Sequence, residues 1–311
     1  MITFRHSSIV ALVVFGSFDG ALPTRAPAQG TFRVSVQAAK TEFFEGEPVY
    51  LLLRVTNTGA DTAWVSPPDL ASRELIILTT RSDGSAVPEL RTWLDYYYPL
   101  NWKGVPLPPG GTWHQTAVLQ DYFGDDGADV TPIYNRHLRP GTYRVVARYN
   151  PSLPAVGAPE LDIVESAGLE IAIRPRSGSE DAIYREVAAV RALAWSRGTR
   201  GQYARALIEL IGRRQAADSG DPFLSFLLNE GVATLPAVGT RIDAGTAQRL
   251  QGMRLGAARA LRDTPAGALA ALSALSARPT DAPLLSSLLG TSLSGEVARE
   301  WEARARRRKL N

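Results

Sequence analysis

Between residues 30 and 175 apolar and polar positions alternate in short runs. Phe32, Val34, Val36 and Ala38 lie opposite Arg33, Ser35 and Gln37. Val49, Leu51, Leu53 and Val55 lie opposite Tyr50, Arg54 and Thr56. Period two recurs over 112–120, 142–149 and 168–174, and a denser apolar run covers 73–80. Such alternation predicts strands with one buried and one wet face. Turn clusters separate the runs: Glu45-Gly46-Glu47-Pro48, Asn57-Thr58-Gly59, Ser82-Asp83-Gly84, Pro108-Pro109-Gly110-Gly111 and Arg139-Pro140-Gly141. No helical period intervenes, so the pattern predicts an antiparallel sandwich or barrel.

At Arg174-Pro175-Arg176-Ser177-Gly178 the composition shifts to Ala, Leu and Arg, and the period becomes 3.6. Ser179 reads as an N-cap, with Ile183, Val187 and Val190 on one face and Gly198 as the stop. Tyr203, Leu207, Leu210 and Ile211 mark a second helix, and Asp221-Pro222 opens a third that Gly231 closes. A fourth spans about 244–262, and Thr264-Pro265 opens a fifth carrying Leu269, Leu272 and Leu275. Asp281 opens a short sixth, and Val297, Trp301 and Ala305 line a seventh from about 295. Short connections imply antiparallel neighbours. The chain is therefore expected to divide into a leader at 1–28, a β domain at 30–175 and an α-helical hairpin domain at 178–311.

Two stretches carry resemblances. Glu45-Gly46-Glu47-Pro48-Val49-x-Leu51-x-Leu53-x-Val55-x-Asn57-x-Gly59 and Leu138-x-Pro140-Gly141-x-Tyr143-x-Val145-x-Ala147 resemble strands of immunoglobulin-like modules in exported bacterial proteins. That resemblance implies an antiparallel Ig-like β-sandwich over 30–175, without the antibody-type cysteine pair. It also implies a tyrosine corner, in which the Tyr143 hydroxyl ties back to nearby backbone. Leu193-Ala194, six residues, then Gly201-x-Tyr203-x-x-Ala206-x-x-x-Leu210 resembles one tetratricopeptide (TPR) hairpin over about 190–222. Arg213 stands where that pattern expects a small residue, and no second copy follows. The alternative is a plain helical bundle.

The first segment reads as an address. Arg5 and His6 precede the apolar run Ile9–Phe18, and Ala26-Pro27-Ala28 offers a small-x-small cleavage site. The expectation is a secretory signal peptide cleaved near Ala28 and an exported, periplasmic or extracellular chain. Ten apolar residues are about half of the roughly 20 that span a bilayer, which argues against a membrane anchor. No later stretch reads as a transmembrane segment.

Composition narrows the chemistry. Among 311 residues there is no Cys, which excludes disulfides, thiolate metal sites and cysteine nucleophiles. Net charge is +3, with the β region acidic and the helical region basic. The basic residues are almost all Arg, a codon-bias signature too mild in net charge to imply nucleic acid. No nucleotide-binding or nucleophile-elbow motif is present. Beyond the leader only His114 and His137 remain, His114 on the expected wet face of its strand and His137 in a turn. No cofactor is implied.

Two places have candidate chemistry. The segment 91–123 holds eight of the 25 aromatics, including Trp93, Tyr96, Tyr97, Tyr98 and Trp102. Amphipathic rings on a long loop suit a sugar or a peptide; the alternative is that they seal the sandwich or dock it onto the helices. Asp121, Asp125, Asp126 and Asp129 cluster beside glycines and form a weak Ca²⁺ candidate without EF-hand spacing.

The reading is a non-catalytic, exported binding or scaffold protein of the cell envelope, whose helices engage a protein partner. A carbohydrate- or peptide-binding module using the 91–123 loop, inhibitor-like toward peptidases, is the alternative. A carboxylate-based hydrolase is the third reading, since acids are plentiful and no pair stands out.

Overall fold

The structure is a computed structural model, which describes residues 32–65, 75–89, 105–124, 137–151, 163–195, 200–217, 221, 223–237 and 243–308. Among these residues ten strands come first: β1 Phe32–Ala38, β2 Glu42–Phe44, β3 Tyr50–Asn57, β4 Ala63–Val65, β5 Leu75–Arg81, β6 Val105–Leu107, β7 Thr112–Val118, β8 Gly141–Tyr149, β9 Val164–Glu165 and β10 Leu169–Arg174. Seven helices follow: α1 Gly178–Trp195, α2 Arg200–Ala217, α3 Leu224–Ala237, α4 Ala244–Ala260, α5 Pro265–Ala277, α6 Leu285–Leu288 and α7 Thr291–Arg308.

Three sheets form. The first has the order β1-β3-β7 and is antiparallel throughout. The second has the order β2-β10-β8-β5, with β9 also on β8, and β4 pairs with β6 in a small third ribbon. Inward residues of the two large sheets meet in one core: Val34, Leu51, Leu53 and Val55 from the first, Ile77, Val145, Ala147 and Ile171 from the second. The alternation in the sequence is what supplies those inward faces.

The expected antiparallel Ig-like sandwich is corrected here. β2 runs parallel to β10, so the five-stranded sheet is mixed. The physical reason is the link between β1 and β2. Three residues carry the chain from one sheet to the other without reversing it. β2 then meets the free edge of β10 in the parallel sense, through Ala172 N–H to Thr41 O and Glu45 N–H to Arg174 O. Locally the turn chemistry before β8 behaves as expected: the Tyr143 hydroxyl donates to Arg139 O at 2.7 Å.

The helices follow their period, with three shifts. Gly231 lies inside α3 and not at its end. Phe223, Leu224, Leu227 and Leu228 are all buried there, and burial outweighs a glycine's cost of about 1 kcal/mol. The sixth helix is a 3₁₀ segment, Pro279–Leu284, leading into α6. α7 begins at Thr291, earlier than its apolar stripe suggested. Asp221 accepts from Phe223 N–H ahead of α3, Asp243 caps α4 through Thr246 N–H, and Thr264 caps α5 through Gly267 N–H. α5 is buried on every side, which is the signature of a central helix.

The helical core does not stop at the helices. Phe44, Tyr50, Leu52 and Val118 from the strands belong to the same apolar cluster as Leu207, Phe223, Leu227, Leu269 and Val297. β3 is therefore buried on both faces over Tyr50–Leu53: Leu51 and Leu53 point between the sheets, Tyr50 and Leu52 into the helices.

Candidate functional site at the seam of sheets and helices

The outer face of β1-β3-β7 is apolar at one end and polar at the other. Arg54 on β3 and His114 on β7 are directly opposed in register. Against them α7 presents Glu296 and Glu300, one helical turn apart and so on one face. Arg54 Nε donates to Glu296 Oε2 at 3.1 Å, and Arg54 also donates to Gln37 on β1. His114 Nε2 lies 3.1 Å from Glu300 Oε2, and its Nδ1 lies 3.7 Å from Glu296 Oε2. The ring makes no well-aligned hydrogen bond, so these are contacts by distance alone.

Glu300 has a second task. Its Oε2 accepts from Thr116 N–H at 3.1 Å and Thr116 Oγ1 at 3.2 Å. β7 is an edge strand of its sheet, with outward amides that need partners. The α7 carboxylate satisfies one of them. His114 is 1% exposed and Glu300 2%, so this end of the cluster is closed to solvent, while Arg54 stays part-exposed. The expectation that His114 sits on a wet face therefore fails, because a helix covers that face. At the apolar end, Phe226 N–H in the first turn of α3 donates to the Tyr50 hydroxyl at 2.9 Å. Burial pushes the Tyr50 phenol well above its ordinary range, so it stays a neutral acceptor for that amide.

A second polar group lies where the chain enters α1. His137 Nε2 is 3.0 Å from Glu45 Oε1, and the Tyr184 hydroxyl is 3.4 Å from His137 Nδ1. Arg176 stacks over the Tyr184 ring at 4.1 Å and donates to Asp181 Oδ1 at 3.2 Å. Gly46 packs edge-on to that ring with φ +84°. Tyr184 continues into a cleft of about 30 Å³, the space of one or two waters, lined by Pro48, Val118, Arg191 and Phe226 among others. Nearby, Arg174 binds Glu180 through two nitrogens and holds its carboxyl down at about 2.

His114 and His137 are thus both beside carboxylates, one sealed and one at the rim. The aromatic candidates Trp93, Tyr96, Tyr97, Tyr98 and Trp102 lie outside the described residues, as do Asp125, Asp126 and Asp129. Asp121 is exposed at the end of a 3₁₀ turn after β7. Among the described residues no group of three or more His, Asp or Glu gathers to hold a metal. Among them too, no helix is long and apolar enough to cross a membrane.

The Glu296–Glu300 pair was missed in the sequence. Its signal was two acids at i and i+4 beside the apolar Leu293 and Val297, on a helix otherwise rich in Arg.

No family model matches the chain, and no curated protein matches it. Among solved structures it is similar to a β-glucosidase from Erythrobacter marinus at 12% identity, with a TM-score of 0.23. The match covers 46% of this chain and 15% of that enzyme. A likeness that weak says nothing of fold or activity here.

Proposed function

We propose that the chain is an exported, non-catalytic binding or scaffold protein of the cell envelope, engaging a protein partner through its helices. The observation that supports this is the fate of the histidines. His114 is sealed between strand and helix, and His137 is engaged with Glu45 and Tyr184. Neither is placed as a general base facing a substrate-sized cavity. The same contacts weld the helices to the sheets, and a welded body presents a fixed outer surface. On α2 that surface includes Gln202, Arg205 and Glu209, which are exposed at helical spacing while Tyr203, Leu207 and Leu210 face inward.

The test is capture of envelope proteins by full-length chain with crosslinking, repeated with Arg205→Glu/Glu209→Arg. A partner lost in the charge-reversed chain and kept in Trp93→Ala/Tyr97→Ala supports the proposal. The opposite pattern moves binding to the 91–123 segment and overturns it. Hydrolysis of a glycoside or peptide panel by the purified chain overturns the non-catalytic part.

A further inference from the structure

His114 sits on β7 with none of its side chain exposed, and neither ring nitrogen makes an aligned hydrogen bond. What faces the ring is charge. From α7 come Glu300, 3.1 Å from Nε2, and Glu296, 3.7 Å from Nδ1. From β3 comes Arg54, opposite His114 in register, whose Nε donates to both oxygens of Glu296. On β7 itself the Thr116 hydroxyl is already given to Glu300. α5 also packs on β3 and β7, and its residues Pro265–Ala277 include no titratable side chain.

Two glutamates facing Arg54 alone leave one negative charge without a counter-charge. A proton on His114 closes that balance, two charges against two. Burial makes the difference costly, because charges taken out of water need partners. The imidazole and Glu300 are the most enclosed members of the group, with side chains 0% and 3% exposed. A directed hydrogen bond would hold a neutral ring in place, and this seat provides none. The hold on the ring is therefore the attraction between an imidazolium and two carboxylates. Both carboxylates belong to α7, so whatever weakens their hold on His114 loosens the helix.

We infer that the proton on His114 is a latch for α7: the helix is firmly seated while the imidazole is charged and loosens when it is neutral. A proton that favours the seated helix contributes stability below the histidine range, and that contribution is lost as pH rises through it. Loosening α7 takes the Glu300 acceptor away from Thr116 and bares that amide on the β7 edge. The latch does not depend on which partner the helices engage.

The test is amide exchange of the full chain, read by mass spectrometry on peptides from α7 and α4 and corrected for the intrinsic effect of pH on exchange. It runs from about pH 5.5 to about pH 8.5, which brackets the ordinary histidine range. In the parent, protection of α7 relative to α4 is expected to fall at least about threefold across that span, as for a proton linked to local opening. In His114→Gln, which is neutral at every pH, the ratio is expected to stay level. A level ratio in the parent, a ratio that rises with pH, or an equal fall in parent and His114→Gln overturns the latch. If His114→Gln does not fold, Glu296→Gln carries the test. It removes one negative charge, so Arg54 and Glu300 balance without a proton on His114, and the fall should disappear or reverse. An undiminished fall in Glu296→Gln overturns the proposal.

Discussion

Glu300 on α7 and Thr116 on β7 are joined by two hydrogen bonds, from the Thr116 amide and hydroxyl to one carboxylate oxygen. The same oxygen stands 3.1 Å from His114 Nε2. One side chain therefore closes an edge strand and anchors the last helix. Glu300→Ala leaves the Thr116 amide and hydroxyl buried without their acceptor and removes the carboxylate beside the imidazole. The expected loss is about 3 kcal/mol in urea unfolding, in line with breaking a buried polar cluster. A cycle with His114→Ala should give a coupling of at least about 1 kcal/mol; simple additivity of the two losses would show the contact to be incidental.

Tyr50→Phe removes only the oxygen that accepts from Phe226 N–H. The ring still fills its place between sheet and helices. The expected cost is about 1–2 kcal/mol, the penalty for an orphaned buried amide. Amide exchange offers a site-specific check, because Phe226 N–H should lose more protection than the rest of α3.

Gly46 has two reasons to be glycine. Its φ of +84° disfavours any side chain, and a Cβ there would fall 2.5 Å from the Tyr184 ring. Gly46→Ala should destabilise by about 2 kcal/mol or more, from backbone conformation and clash together. Placing it in a Tyr184→Ala background separates them. The clash component vanishes there and about 1 kcal/mol of backbone strain should persist. Full recovery would mean that φ costs nothing at this position.

Acid should loosen the entry to α1. Arg174 is the main cause holding the Glu180 carboxyl at about 2, against 4.5 when free. A lowered folded value means that the stabilisation is present above pH 4.5 and is lost as pH falls toward 2. Both partners are solvent-accessible, so the effect is modest and salt-sensitive. In Glu180→Gln the acid slope of Tm between pH 4.5 and 2 should be shallower than in the parent. Identical slopes would remove the ion pair from acid unfolding.

Much of the secondary structure was legible because alternation and the 3.6 period are local signals. β1, β3, β7, β8 and β10 fall on their alternating runs, α1, α2 and α5 on their apolar faces, and α4 within its expected span. The parallel placement of β2 was not legible, since it depends on which sheet edge lies within three residues' reach. His114 shows a second limit. Alternation says that a strand has a polar face; it does not say that the face meets water. Tyr50, Arg54, His114 and Thr116 suit a wet surface and suit equally a helix bearing Glu296 and Glu300. Arg254 shows a third. In a chain with 31 arginines nothing local marks Arg254 as one that the helices bury.

The seam also fixes an order of events. Thr116 and Glu300 are 184 positions apart, and the α7 side of the contact emerges from the ribosome after the other described elements. Until then β7 has an open edge, and the Arg54–His114–Thr116 end of the sheet lacks its cover. An unpaired strand edge invites association with neighbouring chains. Arrival of α7 is thus the moment at which this edge becomes safe from other copies, and a truncation just before α7 should accumulate as aggregate instead of as a smaller folded product.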